Sequence, residues 1–311
     1  MSTSQAGGMS WRGVIPAITT PFDAKGEVDL AFAARHAAWM VGAGCTGIVA
    51  LGSLGEGGTL SREERGALLR ALVSEVGARV PVVAAVAALS TREAVGQAEQ
   101  AAEAGCRGLM VLPAYVYKGD WRERRAHFEA VMSATRLSSM LYNNPIAYGV
   151  DVMPEQVAEL VSVCHAMRAV KESSADVRRV TAIRALLGER VEILVGVDDL
   201  IVEGVAAGAT GWIAGLVNAL PVESVALFDL ARAGRWEDAR RLYEWFLPLL
   251  RLDVVPEFVH LIKLVQAEVG MGSERVRRPR MEMAGPARED AIRVIRKALA
   301  ARPKVPVVKP T

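Results

Sequence analysis

Short apolar runs alternate with longer stretches whose apolar positions recur at helical spacing, and most of those stretches open on a capping residue or proline. Gly13 to Thr19 reads as a strand and Asp29 to Val41 as a helix. Gly47 to Leu51 is the next strand, and Ser61 to Val76 the next helix, opening on the capping box Ser61 and Glu64. The same unit returns with Val82 to Ala87 before Thr91 to Ala104, Gly108 to Leu112 before Asp120 to Ala134, and Ser139 to Tyr142 before Pro154 to Val161. Three more pairs follow: Ala166 to Lys171 with Ala175 to Leu187, Val191 to Val195 with Asp199 to Ala207, and Gly211 to Ala214 with Val222 to Ala233. Eight strand–helix units in about 235 residues, with continuously apolar strands, predict an α/β fold of the (β/α)8 TIM-barrel type. A doubly wound sheet is the alternative. It would need a glycine fingerprint after the first strand, where this chain has Ile18-Thr19-Thr20-Pro21-Phe22.

Three further helical stretches, Trp236 to Leu250, Val255 to Val269 and Ala287 to Ala301, predict a C-terminal three-helix extension. The expected organisation is therefore a tail over 1–10, a catalytic barrel over 11–234, the helical extension over 235–301 and a second tail over 302–311.

Composition narrows the function. The chain has 311 residues, is 51% hydrophobic but only 5% aromatic, and carries 28 glycines, which suits close helix–sheet packing. With 37 basic and 35 acidic residues there is no whole-protein field to attract nucleic acid or an anionic membrane. Cys45, Cys106 and Cys164 are an odd, widely spaced set, which argues against a disulfide framework. The first ten residues lack the basic-then-apolar pattern of a signal peptide, and no apolar run approaches the roughly 20 residues of a membrane span. A cytoplasmic, soluble protein is expected.

In a barrel of this kind the reacting groups stand at the C-terminal ends of strands. Lys171 ends the run Ala169-Val170, and lysine is scarce: seven of the 37 basic residues, the other thirty being arginine. A desolvated amine can lose its proton and attack a carbonyl to form a Schiff base, which guanidinium cannot do. The bland alternative is a lysine that pairs with Glu172 or Asp176. Tyr142 closes the preceding strand, so its phenol is expected beside that amine, placed for proton transfer. Gly52-Ser53-Leu54-Gly55 offers backbone N–H groups and one hydroxyl where a strand turns toward a helix, suited to a carboxylate. His36, His127, His165 and His260 show no metal-ligand spacing, so no metal is expected. Asp198 and Asp199 read most simply as a helix N-terminal carboxylate pair. The run Arg275 to Arg280 reads as a solvated loop.

These motifs resemble the N-acetylneuraminate lyase and dihydrodipicolinate synthase family. The shared features are Gly52-Ser53-Leu54-Gly55-Glu56 with Thr59-Leu60-Ser61 and Glu64 after it, Tyr142-Asn143-Asn144-Pro145, and Lys171 following Tyr142 by 29 residues. The resemblance implies a class I, metal-independent lyase and a homotetramer of tight dimers. It implies that Lys171 forms an imine with a 2-oxo acid and is the only covalent group needed, with no separate cofactor. Tyr142 would move protons, and Ser53 with Gly52, Leu54 and Gly55 would hold the substrate carboxylate. Tyr115 lies where some members place a tyrosine that reaches the neighbouring subunit's site. Asn144, Gly196, Asp198 and Ile213 match positions that line the pocket. Ala147 stands where the synthases carry an arginine for aspartate semialdehyde, and Leu54 replaces a relay hydroxyl. These departures favour dehydration or deamination of a small 2-oxo or cyclic imine acid, such as 1-pyrroline-4-hydroxy-2-carboxylate. The alternatives are 4-hydroxy-tetrahydrodipicolinate synthase, another 2-oxo acid aldolase, or a ligand-binding sensor barrel.

Overall fold

The computed structural model describes residues 9–305; the greater part of both expected tails, 1–8 and 306–311, lies outside the described residues. Eight parallel strands alternate with helices. They are β1 (Gly13–Pro16), β2 (Ile48–Ala50), β3 (Val82–Val86), β4 (Gly108–Val111), β5 (Ser138–Asn143), β6 (Met167–Glu172), β7 (Glu192–Val195) and β8 (Gly211–Ala214). They run in the order β1-β8-β7-β6-β5-β4-β3-β2. The ring is joined between its two ends by Thr46 N–H donating to Val14 O at 2.9 Å and Ile18 N–H donating to Val49 O at 2.9 Å. The fold is the (β/α)8 barrel.

The helices are α1 (Leu30–Gly42), α2 (Arg62–Val76), α3 (Thr91–Glu103), α4 (Trp121–Ser133), α5 (Pro145–Tyr148), α6 (Pro154–Val163), α7 (Arg178–Leu187), α8 (Ile201–Ala206) and α9 (Pro221–Arg232). Local chemistry sets several of their starts. Ser61 and Glu64 form the reciprocal capping box, with Glu64 N–H on Ser61 Oγ at 3.2 Å and Ser61 N–H on Glu64 Oε2 at 2.8 Å. Asp120 and Glu123 repeat it at α4. Where sequence and structure differ, the backbone supplies the reason. β1 ends at Pro16, after which Ala17 pairs with β8 and Ile18 with β2, so the chain leaves the ladder to join the ring. The helix expected from Ala175 starts instead at Arg178, because Ala175 has φ 63° and cannot be part of a right-handed helix.

Every residue of β2, β3, β4 and β8 is buried, as strands covered on both faces must be. Each buried Val, Leu or Ile contributes about 1.5–3 kcal/mol relative to exposure. The C-terminal helices α10 (Trp236–Leu250), α11 (Phe258–Glu268) and α12 (Gly285–Ala300) pack onto this body. Leu242, Phe246 and Leu249, three or four positions apart, form the buried face of α10. Ala291, Ile295 and Ala298 do the same for α12. Arg302, the first residue of the expected second tail, is tied down by an ion pair with Glu223 at 2.5 Å. Among the described residues no helix is long and apolar enough to cross a membrane.

Candidate active site

Strand alternation decides the fate of two neighbours on β6. Glu172 is held by Asn143 Nδ2 at 3.1 Å and by Ser174 N–H at 2.7 Å, and Asp176 is taken by Arg178 at 2.7 Å. Lys171, pointing the other way, has no salt bridge among the described residues. Its Nζ lies 3.9 Å from the centroid of the Tyr142 ring, and the two residues are direct cross-strand neighbours. The pairing of Lys171 with Glu172 or Asp176 that the sequence left open does not occur. Lys171 is 6% and Tyr142 5% exposed. Burial pulls the lysine pKa below its ordinary value, opposed by the phenol of Tyr148 and the carboxylates of Asp253 and Asp198. Burial likewise pushes the Tyr142 phenol up to about 12.

The phenol of Tyr142 accepts a hydrogen bond from Asn144 Nδ2 at 3.0 Å, while Asn144 Oδ1 caps α5 by accepting from Ala147 N–H at 3.0 Å. Asn144 thus fixes both the tyrosine and the one-turn helix beyond it. That helix carries Tyr148, whose hydroxyl is hydrogen-bonded to Ser53 Oγ. The Tyr148 ring meets Tyr142 edge-on, centroids 5.8 Å apart, and Tyr115 at a tilt, also 5.8 Å. Ser53, Tyr148, Tyr142 and Lys171 form one continuous polar edge. Leu54 is buried and contributes no hydroxyl, while the Tyr148 ring packs against both Tyr142 and Tyr115. Nothing in the sequence marks Tyr148, since a four-residue helix has no periodicity to announce which side faces inward.

The loop after β2 is held in a strained form, with Leu51 at φ 67° and Glu56 at φ 51°, a conformation that costs of order 1 kcal/mol or more for side chains of this kind. It folds so that Thr20 Oγ1 donates to Gly55 O at 2.6 Å. The N–H groups of Leu54 and Gly55 have no hydrogen-bond acceptor among the described residues. Beneath it, Glu56 is bound by Lys263 Nζ at 2.6 Å and by the Arg277 N–H at 3.0 Å, with Arg280 at 3.8 Å. The run Arg275 to Arg280 is therefore solvated only in part, with Arg275, Arg278 and Pro279 exposed. Arg275 O accepts from Lys263 at 2.7 Å, and Arg277 Nη1 reaches Glu64 at 2.7 Å, so the run is folded onto the loop it supports.

Gly196 sits tight against the lysine, where a Cβ would fall 2.5 Å from Lys171 Cε and 2.0 Å from Ser173 Oγ. Asp198 is fully buried and accepts from Trp212 Nε1 at 2.9 Å, Gly215 N–H at 3.1 Å and Leu216 N–H at 2.8 Å. With Asp199 it opens the 3-10 turn that leads into α8, as the sequence suggests, but its bonds go to the end of β8. Burial nevertheless raises it to about 6. Ile213 is buried within β8, a Cβ at Gly52 would fall 3.4 Å from Met110 Cε, and Ala147 lies on the exposed side of α5. Asp253, unnoticed in the sequence, enters from the C-terminal extension and stands against Gly215. Among the described residues no group of His, Cys, Asp and Glu is arranged to hold a metal ion.

The chain matches the model of the Dihydrodipicolinate synthetase family over residues 10–298. It belongs to that family. The 4-hydroxy-tetrahydrodipicolinate synthase of Geotalea daltonii is 32% identical over 289 residues, covering 92% of this chain and 98% of its own. Among solved structures, a dihydrodipicolinate synthase from Bacillus anthracis superposes with TM-score 0.89 at 26% identity, over 95% of this chain and all of its own. YagE, a prophage protein of the dihydrodipicolinic acid synthase family from Escherichia coli K12 solved with pyruvate, gives TM-score 0.87 at 26% identity over 93% and 99% of the two chains. Membership of the dihydrodipicolinate synthetase family makes the protein a lyase on this barrel.

Proposed function

We propose that the protein forms a Schiff base between Lys171 and a small 2-oxo acid or cyclic imine acid and eliminates water or ammonia from it, as in 1-pyrroline-4-hydroxy-2-carboxylate deamination. The observation that carries the reading is the unpaired, desolvated Lys171 amine over the Tyr142 ring at the mouth of the barrel. Burial favours the neutral amine, which is the form that attacks a carbonyl. Tyr142, held by Asn144, and Tyr148, bonded to Ser53, are placed to carry protons to and from the imine-bound carbon. Ser53 Oγ and the N–H groups of Leu54 and Gly55 suit the substrate carboxylate. No separate cofactor is needed, because the iminium formed on the lysine is itself the electron sink.

Elimination is favoured over condensation with aspartate semialdehyde by the charges around the second half of the pocket. The position for a carboxylate-binding arginine is Ala147, and the carboxyl groups that bear on Lys171 are Asp198 and Asp253, neither of which would attract a second carboxylate. The synthase reading draws its support from the names of the relatives. We further propose a homotetramer, for which sedimentation is the test; Val116 and Tyr117, 69% and 60% exposed beside Tyr115, are available for such a contact.

Borohydride reduction in the presence of pyruvate is expected to add mass on Lys171. A panel of hydroxypyrroline carboxylate, 4-hydroxy-2-oxo acids, sialic acid, and pyruvate with aspartate semialdehyde then separates elimination, cleavage and condensation by product. Lack of any adduct on Lys171 would refute the mechanism, and turnover of the last pair alone would replace elimination by synthesis.

A further inference from the structure

Asp253 ends a single 3-10 turn, Arg251–Asp253, that links α10 to α11, and its carboxyl reaches across to the C-terminal end of β8. It fits only because residue 215 is glycine: a Cβ there would stand 2.0 Å from Asp253 Oδ1 and 2.4 Å from its Cγ. Oδ1 is closed off from solvent and has no hydrogen-bond partner among the described residues, in contrast to Asp198, whose carboxylate takes three N–H donors. Structural carboxylates are satisfied when buried, and an unsatisfied one is destabilising. A carboxyl oxygen kept bare at the C-terminal end of β8, where its charge bears on Lys171 and Tyr142, is therefore reserved for something that arrives from outside.

We propose that Asp253 is the acid that protonates the oxygen leaving C4 of the lysine-bound substrate, an inference that rests on the elimination reading above. In the iminium formed on Lys171 the C3–H bond breaks, its proton passing to the tyrosine hydroxyl system, and its electron pair gives the C2=C3 enamine. The nitrogen pair then restores C2=N while the enamine pair forms C3=C4 and the C4–O bond breaks. The departing oxygen takes that bond's pair and the Asp253 proton and leaves as water. The C3 proton, released to solvent, is matched by the one that Asp253 takes back, so the sum is loss of one water. Burial, and then the neighbouring Asp198, hold the Asp253 pKa well above the ordinary carboxyl value, so the group can carry the proton this step needs.

The test is Asp253→Asn, with three readouts on the intact protein. Exchange of pyruvate methyl protons in deuterium oxide reports imine and enamine formation, and is expected to stay within about 3-fold of wild type. Water loss from 4-hydroxy-2-oxopentanoate and from hydroxypyrroline carboxylate is expected to fall roughly 100-fold or more. Elimination from 4-acetoxy-2-oxopentanoate, whose leaving group needs no proton, is expected to return to near the wild-type rate. Should Asp253→Asn not fold, Gly215→Ala, which pushes the carboxyl aside, is expected to give the same split. Equal loss of exchange and elimination, or no loss of elimination, overturns the assignment. So does a wild type that exchanges pyruvate protons and eliminates nothing, a result that would also remove the elimination reading while leaving the Schiff base intact. Absence of exchange in the wild type would instead refute the Schiff base itself.

Discussion

Lys263 Nζ stands 2.6 Å from Glu56 Oε1, with the two side chains only 2% and 0% exposed, and so joins the second helix of the C-terminal extension to the loop that carries Ser53. Removing one member of such a buried pair leaves the other charge uncompensated. Lys263→Met is expected to cost about 3–5 kcal/mol in chemical denaturation, and Lys263→Met combined with Glu56→Gln to recover part of that loss.

Lys171 is desolvated and has no salt bridge among the described residues, so the imine role proposed for it comes at some expense in stability. Lys171→Met is expected to abolish borohydride trapping while leaving denaturation unchanged or raising stability by about 1 kcal/mol. In the wild type, the rate of imine formation is expected to rise with pH as the amine loses its proton. The midpoint should fall below 10.5, the ordinary lysine value.

The hydrogen bond between Ser53 and Tyr148 makes the effects of changing them interdependent. Ser53→Ala is expected to lower kcat/KM by roughly 10–100-fold through loss of a bond to the substrate carboxylate. Tyr148→Phe is expected to lower kcat by about 100-fold, and the double variant to lose less than the product of the two. Tyr115→Phe, one ring further out, is expected to change either constant by less than about 5-fold. Steady-state kinetics on the four proteins checks the set.

Gly196→Ala is expected to eliminate the Lys171 adduct with the fold retained, because the new Cβ would fall 2.5 Å from Lys171 Cε. Gly58, which has nothing within 4 Å of its Cβ position, supplies the control: Gly58→Ala is expected to leave trapping unchanged. Mass spectrometry after reduction distinguishes them.

His36 is wholly buried with Nε2 against Asn218 O at 2.7 Å, and burial lowers its pKa from 6.5 to about 4. The folded protein therefore binds fewer protons than the unfolded chain between pH 6.5 and 4, and stability falls as the solution is acidified through that window. The full contribution is about 3 kcal/mol, at 1.36 kcal/mol per pKa unit. Asp198, raised from 3.8 to about 6, works in the opposite sense over much of the same range. The clean measurement is thus the difference between wild type and His36→Gln, which is expected to approach about 3 kcal/mol as pH falls to 4 and below.

The barrel was legible in the sequence because each βα unit announces itself locally, by an apolar run and a capped amphipathic stretch. The juxtaposition of Lys171 and Tyr142 was legible for the same reason: each stands one residue from the end of its own strand, and the two strands are neighbours. What could not be read was anything delivered from afar. Asp253 sits in an unremarkable Leu-Asp-Val and becomes special only by meeting Gly215; Lys263 looks like one helical lysine until it meets Glu56, 207 positions earlier. The basic run at Arg275 misled for the same reason, since its acceptors lie on the far side of the chain. Tyr148 was hidden by scale, in a helix too short to show a period.

The link between Glu56 and Lys263 also sets an order of events during synthesis. A ribosome makes the loop bearing Ser53 early, with a carboxylate at its base that has no cation to meet. The counter-charge is translated only after all eight strands. A nascent chain that has finished its barrel is still without a settled mouth, and the same dependence would defeat any attempt to transplant this barrel without its last three helices.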